Sequence, residues 1–222
     1  GGAINIQTPT TYPVEIIDSE FKQNEARRTG LIPIGYVPAN DIFAGGAIQN
    51  DGNLHGVCTL FEGNKADKVR GGGGLSNEPG STALLEECVF TGNKAALHDS
   101  ANFSFGGAIV NGGQLDLVRC SIYNNEADMA GAIFNGYNGR LRTYNSTITG
   151  NNGTYQFGGL VNEHSYFNNS FSFGGAQTLL YHTTLGKNPA GQDGPGANEL
   201  YSAQDDFVTF SNSILATGCT GT

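Results

Sequence analysis

Residues 45–64 read GGAIQNDGNLHGVCTLFEGN, and this stretch holds the two motifs that decide the fold. The first motif is the Gly-Gly-Ala-Ile signature of residues 45–48. The second is an apolar residue followed three positions later by Asn, here Phe61 and Asn64. Both motifs recur from one end of the chain to the other, which is the sequence signature of a repeat protein.

The two motifs alternate along the chain. The copies of the first are Gly1-Gly2-Ala3-Ile4, Gly45-Gly46-Ala47-Ile48, Gly73-Gly74-Leu75, Gly106-Gly107-Ala108-Ile109, Ala130-Gly131-Ala132-Ile133 and Gly158-Gly159-Leu160. The apolar anchors of the second are Phe21, Phe61, Phe90, Ile122, Ile148, Leu185 and Ile214, the last without its Asn. Neighbouring anchors are 26 to 40 residues apart. Fixed motifs at variable spacing predict constant strands joined by loops of changing length.

Alignment on the anchors brings residues of one kind to equivalent positions. The positions seven and five before each anchor are mostly apolar and alternate with polar positions, as in strands with one buried face. The position two before each anchor is occupied by Ser19, Thr59, Cys88, Cys120, Ser146, Thr183 and Asn212, all small. Because the buried positions change parity just before this small residue, we expect a corner there between two short strands.

Asparagine recurs at two equivalent positions. After the first motif these are Asn50, Asn77, Asn111, Asn135 and Asn162, and after the second Asn24, Asn64, Asn93, Asn125, Asn151 and Asn188. Asn tolerates left-handed backbone at a bend, and its amide can bond to an identical amide one strand spacing away. Two such ladders predict one all-β solenoid domain, residues 1–222, of about seven coils with three short parallel strands each. A leucine-rich repeat, a propeller and an immunoglobulin-like sandwich fit this pattern less well.

Composition excludes several classes of protein. With 34 Gly and 23 Asn in 222 residues, the chain must turn often and is not a helical bundle. The formal net charge of -9 disfavours nucleic acid as a partner. No apolar stretch is long enough for a transmembrane segment. The low Lys content and the many Asn, Ser, Thr and Gly residues favour an extracellular or cell-surface location.

The repeat pair also carries a family resemblance. Gly-Gly-Ala-Ile with Phe-x-x-Asn, present as Phe21-Lys22-Gln23-Asn24, Phe61-Glu62-Gly63-Asn64 and Phe90-Thr91-Gly92-Asn93, resembles the repeats of chlamydial polymorphic membrane proteins and related autotransporter passengers. It is also similar to other bacterial β-helix surface proteins. The resemblance implies a right-handed parallel β-helix that is secreted or surface-displayed and often adhesive. Ala130 in place of Gly, and residues 163–177 within the sixth coil, depart from the pattern.

The cysteines leave two interpretations open. Cys88 and Cys120 occupy the same inward column of consecutive coils, so they are either buried thiols that pack like Ser or a disulfide. No Cys-x-x-Cys spacing points to a metal. We expect no cofactor; a calcium site would need several converging carboxylates, and only the charged patch described next offers any.

Charged residues beside the corner are the candidates for chemistry. One outward column holds Glu15, His55, Asp116 and Arg142, and another holds Asp18, Glu87, Arg119 and His182. The parallel β-helix is also the scaffold of pectate lyases, and on that interpretation Asp116, Arg119 and Arg142 are the candidate catalytic residues. Opposite charges one coil apart are also typical of solvated surface pairs, and the sequence favours this second, non-enzymatic interpretation.

Two insertions and the two ends are the candidate places for recognition. Residues 30–44 are apolar for a loop, and residues 163–177 include the aromatic residues Tyr166, Phe167, Phe171 and Phe173, which we expect to pack on the rod or to bind a partner or glycan. A solenoid needs capped ends, and capping segments are not evident in the sequence, so we expect either further flanking sequence or another subunit to cover them. We therefore expect a structural or adhesive module that binds itself end to end or binds another surface protein, with a polysaccharide lyase or glycoside hydrolase as the alternative.

Overall fold

The strands of the solenoid were located in a computed structural model. It describes residues 1–7, 12–27, 44–67, 71–96, 103–163, 175–191, 199–203, 206–216 and 219–221. The strands of the first three coils are β1 (Ile4–Gln7), β2 (Val14–Ile17), β3 (Glu20–Lys22), β4 (Glu25–Arg27), β5 (Ile48–Asp51), β6 (Asn53–Val57), β7 (Leu60–Glu62), β8 (Lys65–Asp67), β9 (Leu75–Asn77), β10 (Thr82–Glu86), β11 (Val89–Thr91) and β12 (Lys94–Ala96). The later strands are β13 (Ile109–Asn111), β14 (Gln114–Val118), β15 (Ser121–Tyr123), β16 (Glu126–Met129), β17 (Ile133–Gly136), β18 (Arg140–Tyr144), β19 (Thr147–Thr149), β20 (Asn152–Gln156), β21 (Leu160–Glu163), β22 (Gln177–Tyr181), β23 (Thr184–Gly186), β24 (Leu200–Ser202), β25 (Phe207–Ser211), β26 (Ile214–Leu215) and β27 (Cys219–Gly221).

The strands form four parallel sheets that run along one solenoid. Sheet 1 has the order β1-β5-β9-β13-β17-β21-β24-β27, and sheet 2 has the order β2-β6-β10-β14-β18-β22-β25. Sheet 3 runs β3-β7-β11-β15-β19-β23-β26, and sheet 4 runs β4-β8-β12-β16-β20. Each strand pairs with its equivalent one coil away. The chain is a right-handed parallel β-helix of about seven coils, which confirms the predicted fold class.

The predicted number of strands per coil was wrong. The first five coils each contain four strands, because a short strand of sheet 4 follows the second Asn of the repeat. In β4, β8 and β12 the middle residue is Ala26, Ala66 or Ala95, and each points into the coil and is buried. A small residue between two polar ones is a weak strand signal, and the sequence pattern therefore did not reveal this sheet.

The register confirms the repeat alignment in the first six coils and corrects it in the last. Ile4, Ile48, Leu75, Ile109, Ile133 and Leu160 lie in one column of sheet 1, as the first motif predicts. In the seventh coil Leu185 pairs with Leu215, so Leu215 and not Ile214 is the anchor. The small residue before it is therefore Ser213 and not Asn212. The error arose because this coil lacks the Asn that fixes the alignment elsewhere.

The core lies inside the coils as continuous stacks of apolar side chains. Phe61 and Phe90 stack with ring centroids 4.2 Å apart, and Phe21 and Phe61 stack at 5.3 Å. The aliphatic anchor Ile122 continues this stack and is fully buried. Because equivalent residues lie one strand spacing apart, each coil buries its core mainly against its two neighbours.

The predicted corner between sheets 2 and 3 is present, and it requires left-handed backbone. Its residues Asp18, Cys58, Glu87, Arg119, Asn145, His182 and Asn212 have φ between 47° and 55°. The next residue is the small one of the repeat, and its side chain closes the bend. Thr59 Oγ1 donates to the carbonyl of Val57 at 3.0 Å, and Ser146 Oγ donates to that of Tyr144 at 3.0 Å. The small column is therefore a set of polar bend residues.

Glycine is required where the first motif brings two backbones together. A Cβ at Gly107 would lie 2.2 Å from the carbonyl oxygen of Gly131 and 2.5 Å from the nitrogen of Glu126. At Gly46 a Cβ would lie 2.0 Å from the carbonyl oxygen of Gly73. This close approach, and not a left-handed conformation, explains the second Gly of the motif at these positions.

Both predicted Asn ladders are present, and their members are buried except for Asn24, which is half-buried. We call the ladder that follows the Phe-x-x-Asn motif the first ladder. Its side-chain amides are joined by Nδ2–Oδ1 hydrogen bonds of 2.8 to 2.9 Å, in the order Asn24, Asn64, Asn93, Asn125, Asn151 and Asn188. Every amide donates toward the C-terminal coil, so the last one needs an acceptor. Buried Glu199 supplies it, because its carboxylate accepts from the backbone N–H and the Nδ2 of Asn188. The second ladder has bonds of 2.7 to 2.8 Å between Asn50, Asn77, Asn111, Asn135 and Asn162.

Candidate functional site

The outward face of sheet 2 carries one of the two columns of charged residues that the sequence singled out. Strands β2, β6, β10, β14, β18, β22 and β25 alternate inward and outward residues. The middle outward column reads Glu15, His55, Leu84, Asp116, Arg142, Leu179 and Thr209. We call this surface the sheet 2 face. It shares one edge with the left-handed corner column.

Asp116 and Arg142 form a two-pronged ion pair across neighbouring coils. Arg142 Nε lies 2.5 Å from Asp116 Oδ1, and Arg142 Nη2 lies 2.6 Å from Oδ2. The hydrogen bond to Asp116 raises the pKa of the Arg142 guanidinium. The arginine occupies both carboxylate oxygens, which is the strongest geometry for such a pair.

Arg119 belongs to a second set of charges at the corner. Its Nε lies 2.9 Å from Glu87 Oε1, and its Nη2 lies 3.8 Å from Glu86 Oε1. The hydrogen bond from Arg119 holds the pKa of the Glu87 carboxyl below its usual value. Glu86 Oε2 also lies 3.1 Å from Nε2 of His55. The structure therefore places the three candidate catalytic residues in two separate sets of ion pairs between coils.

Two aromatic residues extend the same face toward the later coils. Tyr144 and Tyr181 stack with ring centroids 5.2 Å apart and an interplanar angle of 7°. They lie in the outward column next to that of Asp116 and Arg142. The stack gives the face a flat aromatic edge.

A groove crosses the sheet 2 face beside these residues. It has a volume of about 460 Å³ and is lined in part by Gln114, Arg140, Gln177 and Phe207, which form one row of side chains along the rod. This row was not predicted from the sequence. Its first three residues lie eight positions before their anchors, so extending the alignment by one position would have found them. Phe207 joins the row only in the corrected register.

A buried acid, Glu78, lies just after the end of strand β9 in sheet 1, next to Asn77 of the second Asn ladder. Glu78 accepts a 2.7 Å hydrogen bond from Ser76 Oγ and follows Asn77 of the ladder. Burial, together with the nearby charge of Asp51, raises the pKa of Glu78 to about 7. The sequence did not predict this group, although an acid next to a buried ladder residue is a signal that could have been read.

Cys88 and Cys120 are free thiols in the structure, and both are buried. Their sulfurs follow the bend pattern of the column, since Cys88 Sγ donates to the carbonyl of Glu86 at 3.3 Å. The hydrogen bond with Cys88, followed by burial, raises the pKa of Cys120. The interpretation as thiols that pack like Ser is confirmed, and the alternative disulfide is not formed.

Other predicted recognition residues fall outside the described part of the chain. Tyr166, Phe167, Phe171 and Phe173 belong to residues 164–174, and nearly all of the insertion 30–44 also lies outside it. Their proposed roles remain predictions.

Two kinds of feature are absent from the part of the chain that the structure describes. Within it, groups of three or more His, Cys, Asp or Glu side chains arranged to hold a metal ion are absent. The same residues include no helix with the length and apolar character that crossing a membrane requires.

Comparison with models of known protein families, with curated proteins and with solved structures found no match to this chain.

Proposed function

We propose that this chain is an extracellular or cell-surface β-helix that acts as a structural or adhesive module. Its Gly-Gly-Ala-Ile and Phe-x-x-Asn repeats resemble those of surface proteins of this kind. The parallel β-helix itself supports this proposal, because a solenoid is a rigid spacer with long surfaces for contact. The composition, rich in Asn, Ser, Thr and Gly, supports an extracellular location.

The observation that carries the proposal is the pairing of charges on the sheet 2 face and in the corner column beside it. Asp116 pairs with Arg142, and Glu87 pairs with Arg119, each across one coil boundary. Acid–base catalysis needs carboxyl groups whose protonation states differ and which converge on a substrate. Carboxylates held by arginines of the next coil are instead suited to joining coils at a solvated surface.

Assembly into a fibre through end-to-end stacking of such rods is a further part of the proposal. Phe210 lies in the inward column, opposite buried Leu180, and is still 39% exposed. Its strand β25 is the outermost strand of sheet 2 among the described residues. An outermost strand offers backbone groups for pairing with another parallel strand. A second rod stacked on this end would cover Phe210 and continue the sheets, giving an open, heterologous contact.

The competing function is a polysaccharide lyase or glycoside hydrolase on the same scaffold. The groove on the sheet 2 face favours it, since Arg142 lines that groove next to Asp116. On this alternative the pair would have to separate when substrate binds. Arg119 and Arg142 would then be needed for turnover.

A degradation assay separates the two functions. The purified chain would be incubated with polygalacturonate and with other acidic and neutral polysaccharides, and new reducing ends and unsaturated products would be measured. We expect no release above that of a heat-denatured sample. Catalytic release that disappears in the Arg119→Ala, Arg142→Ala double variant would overturn the proposal in favour of the enzyme.

A further inference from the structure

The groove on the sheet 2 face contains a cation without a carboxylate partner. Eight Lys and Arg side chains lie in the described ranges, and six of them form ion pairs with Asp or Glu: Lys22, Arg27, Lys65, Lys94, Arg119 and Arg142. Within those same ranges, Arg140 and Lys187 make no such ion pair. Arg140 is exposed and lines the groove, and Lys187 lies at a corner elsewhere on the rod.

An unpaired guanidinium is informative in a chain of this charge. The net charge is -9, so carboxylates are in excess over cations, and the surface cations of the other coils are used to bind them. Arg140 presents a planar set of N–H donors that matches a carboxylate in two-pronged geometry. The groove is therefore complementary to a ligand that carries a carboxylate.

The neighbours of Arg140 indicate what the rest of this ligand would be. Gln114 and Gln177 flank Arg140 on the adjacent coils, about 4.8 Å away on either side. Their amides both donate and accept hydrogen bonds, as a row of sugar hydroxyls requires. Phe207, which is 66% exposed, continues the row and offers an apolar ring face. Amides beside an exposed aromatic ring suit a pyranose, which has polar edges and an apolar C–H face.

A second depression lengthens the site. It has a volume of about 300 Å³, shares Gln114 and Arg140 with the groove, and adds Tyr137 and Asn138 at its far side. Arg140 therefore lies where two concave surfaces meet. A ligand of several sugar units could span both and place its carboxylate at the centre.

Two other classes of ligand fit less well. The floor of the groove is the face of a sheet, and the backbone groups of β14, β18 and β22 are already used in pairing. A peptide that extended this sheet would have to pair with β25, and it would then lie three strand spacings, about 14 Å, from Arg140 on β18. A polyanion would be repelled by the net charge of the chain and would meet only one unpaired cation in the groove.

From this geometry we propose that the sheet 2 groove binds a hydroxyl-rich oligosaccharide that carries a single carboxylate, supplied by a sialic or a uronic acid. Arg140 binds the carboxylate, Gln114 and Gln177 bind hydroxyl groups, and Phe207 packs against a sugar ring. The inference rests on the proposed adhesive role and gives that role a class of ligand.

The test is isothermal titration with matched pairs of sugars. The probes are 3′-sialyllactose against lactose, and an aldotetraouronic acid against xylotetraose. The variants are Arg140→Gln and, as the matched control, Lys187→Gln. We expect at least one acidic sugar to bind more tightly than its neutral counterpart. Arg140→Gln should weaken that binding about tenfold, the effect of one charge-assisted contact, and Lys187→Gln should leave it unchanged.

Several outcomes would overturn the inference. They are equal binding of acidic and neutral sugars, unchanged binding in Arg140→Gln, equal loss in Lys187→Gln, or binding of acetate as tight as that of the sugars. Loss of folding is monitored by thermal unfolding of both variants, and exposed Arg140 is not part of the core. The polysaccharide degradation assay remains separate: sugar release would refute the adhesive role even where binding requires Arg140, and failed binding would leave the structural role standing.

Discussion

At the scale of single residues, the fold depends on buried amides that satisfy one another. Asn93 shows how completely they do so. Its Oδ1 accepts from the backbone N–H and the Nδ2 of Asn64, and its Nδ2 donates to Asn125 Oδ1 and to the carbonyl of Phe61. The side chain is fully buried, so water cannot replace any of these partners.

Asn93→Ala should therefore be strongly destabilising. It leaves several donors and acceptors without partners inside the coil, and each such group costs about 1 to 3 kcal/mol. We expect a loss of at least about 3 kcal/mol in the free energy of unfolding, measured by urea denaturation. Asn5→Ala, at an exposed position of β1, is the control and should change the value by less than about 0.5 kcal/mol. Equal effects of the two variants would refute the role of the ladder.

Glu78 should make stability depend on pH near neutrality. Its pKa is raised from 4.5 to about 7 in the folded chain, so the folded state holds a proton that the unfolded state has lost between these values. The stabilisation is complete below pH 4.5 and is lost as the pH rises through 7, by about 3 kcal/mol in total. Urea denaturation at a series of pH values between 4.5 and 8 should show this fall in the free energy of unfolding for the natural chain. The free energy of unfolding of Glu78→Gln should depend less on pH. Parallel profiles would contradict the assignment.

At the scale of the elements, glycine is needed between strands for two different reasons. Gly92 has φ +63°, and a Cβ there would meet only the nitrogen of Gly63 at 3.8 Å. Gly107 has no room for a Cβ at all, because the next coil lies against it. The two glycines therefore serve different purposes, conformational freedom at Gly92 and close backbone approach at Gly107.

The same substitution should have unequal effects at these two sites. Gly92→Ala should cost about 1 to 2 kcal/mol, which is the strain of a left-handed alanine. Gly107→Ala should cost more than about 4 kcal/mol or prevent folding, because two coils would have to separate. Circular dichroism with urea denaturation of both variants measures the difference. Similar costs at both positions would show that close approach is not the reason for Gly107.

Most of the elements could be predicted from the sequence, because their signals repeat from coil to coil. The columns of sheets 1 to 3, the bends and both Asn ladders follow from motifs whose spacing is fixed within each repeat. Sheet 4 could not be predicted from the sequence, because its strands are three or four residues long in most coils and centre on small residues such as Ala66. The last coil was misread by one residue because the Asn that fixes the register elsewhere is missing there.

The site was less predictable than the fold. The ion pairs Glu87–Arg119 and Asp116–Arg142 were predicted, because residues in one column lie one strand spacing apart. The groove that Arg140 lines was not predicted, because only the folded structure shows that this side chain has no carboxylate partner within the described residues. The cap of the first ladder by Glu199 was also missed, since eleven residues separate it from Asn188.

At the scale of the whole molecule, the chain is a stack of coils in which each coil is stabilised mainly by its neighbours. Stacked rings, buried amide ladders and surface ion pairs all run along the same axis. The interactions that join the coils would equally join one rod to the next. We propose that rods join in this way; among the described residues, β25 is the outermost strand of sheet 2 and its Phe210 is exposed.

Sedimentation velocity over a wide range of protein concentration tests this structural role most directly. End-to-end assembly predicts sedimentation coefficients that increase with protein concentration, and species with the high frictional ratio of elongated rods. A single species that sediments as one protein chain at every concentration would contradict end-to-end assembly and, with it, the proposal that the chain is the protomer of a fibre.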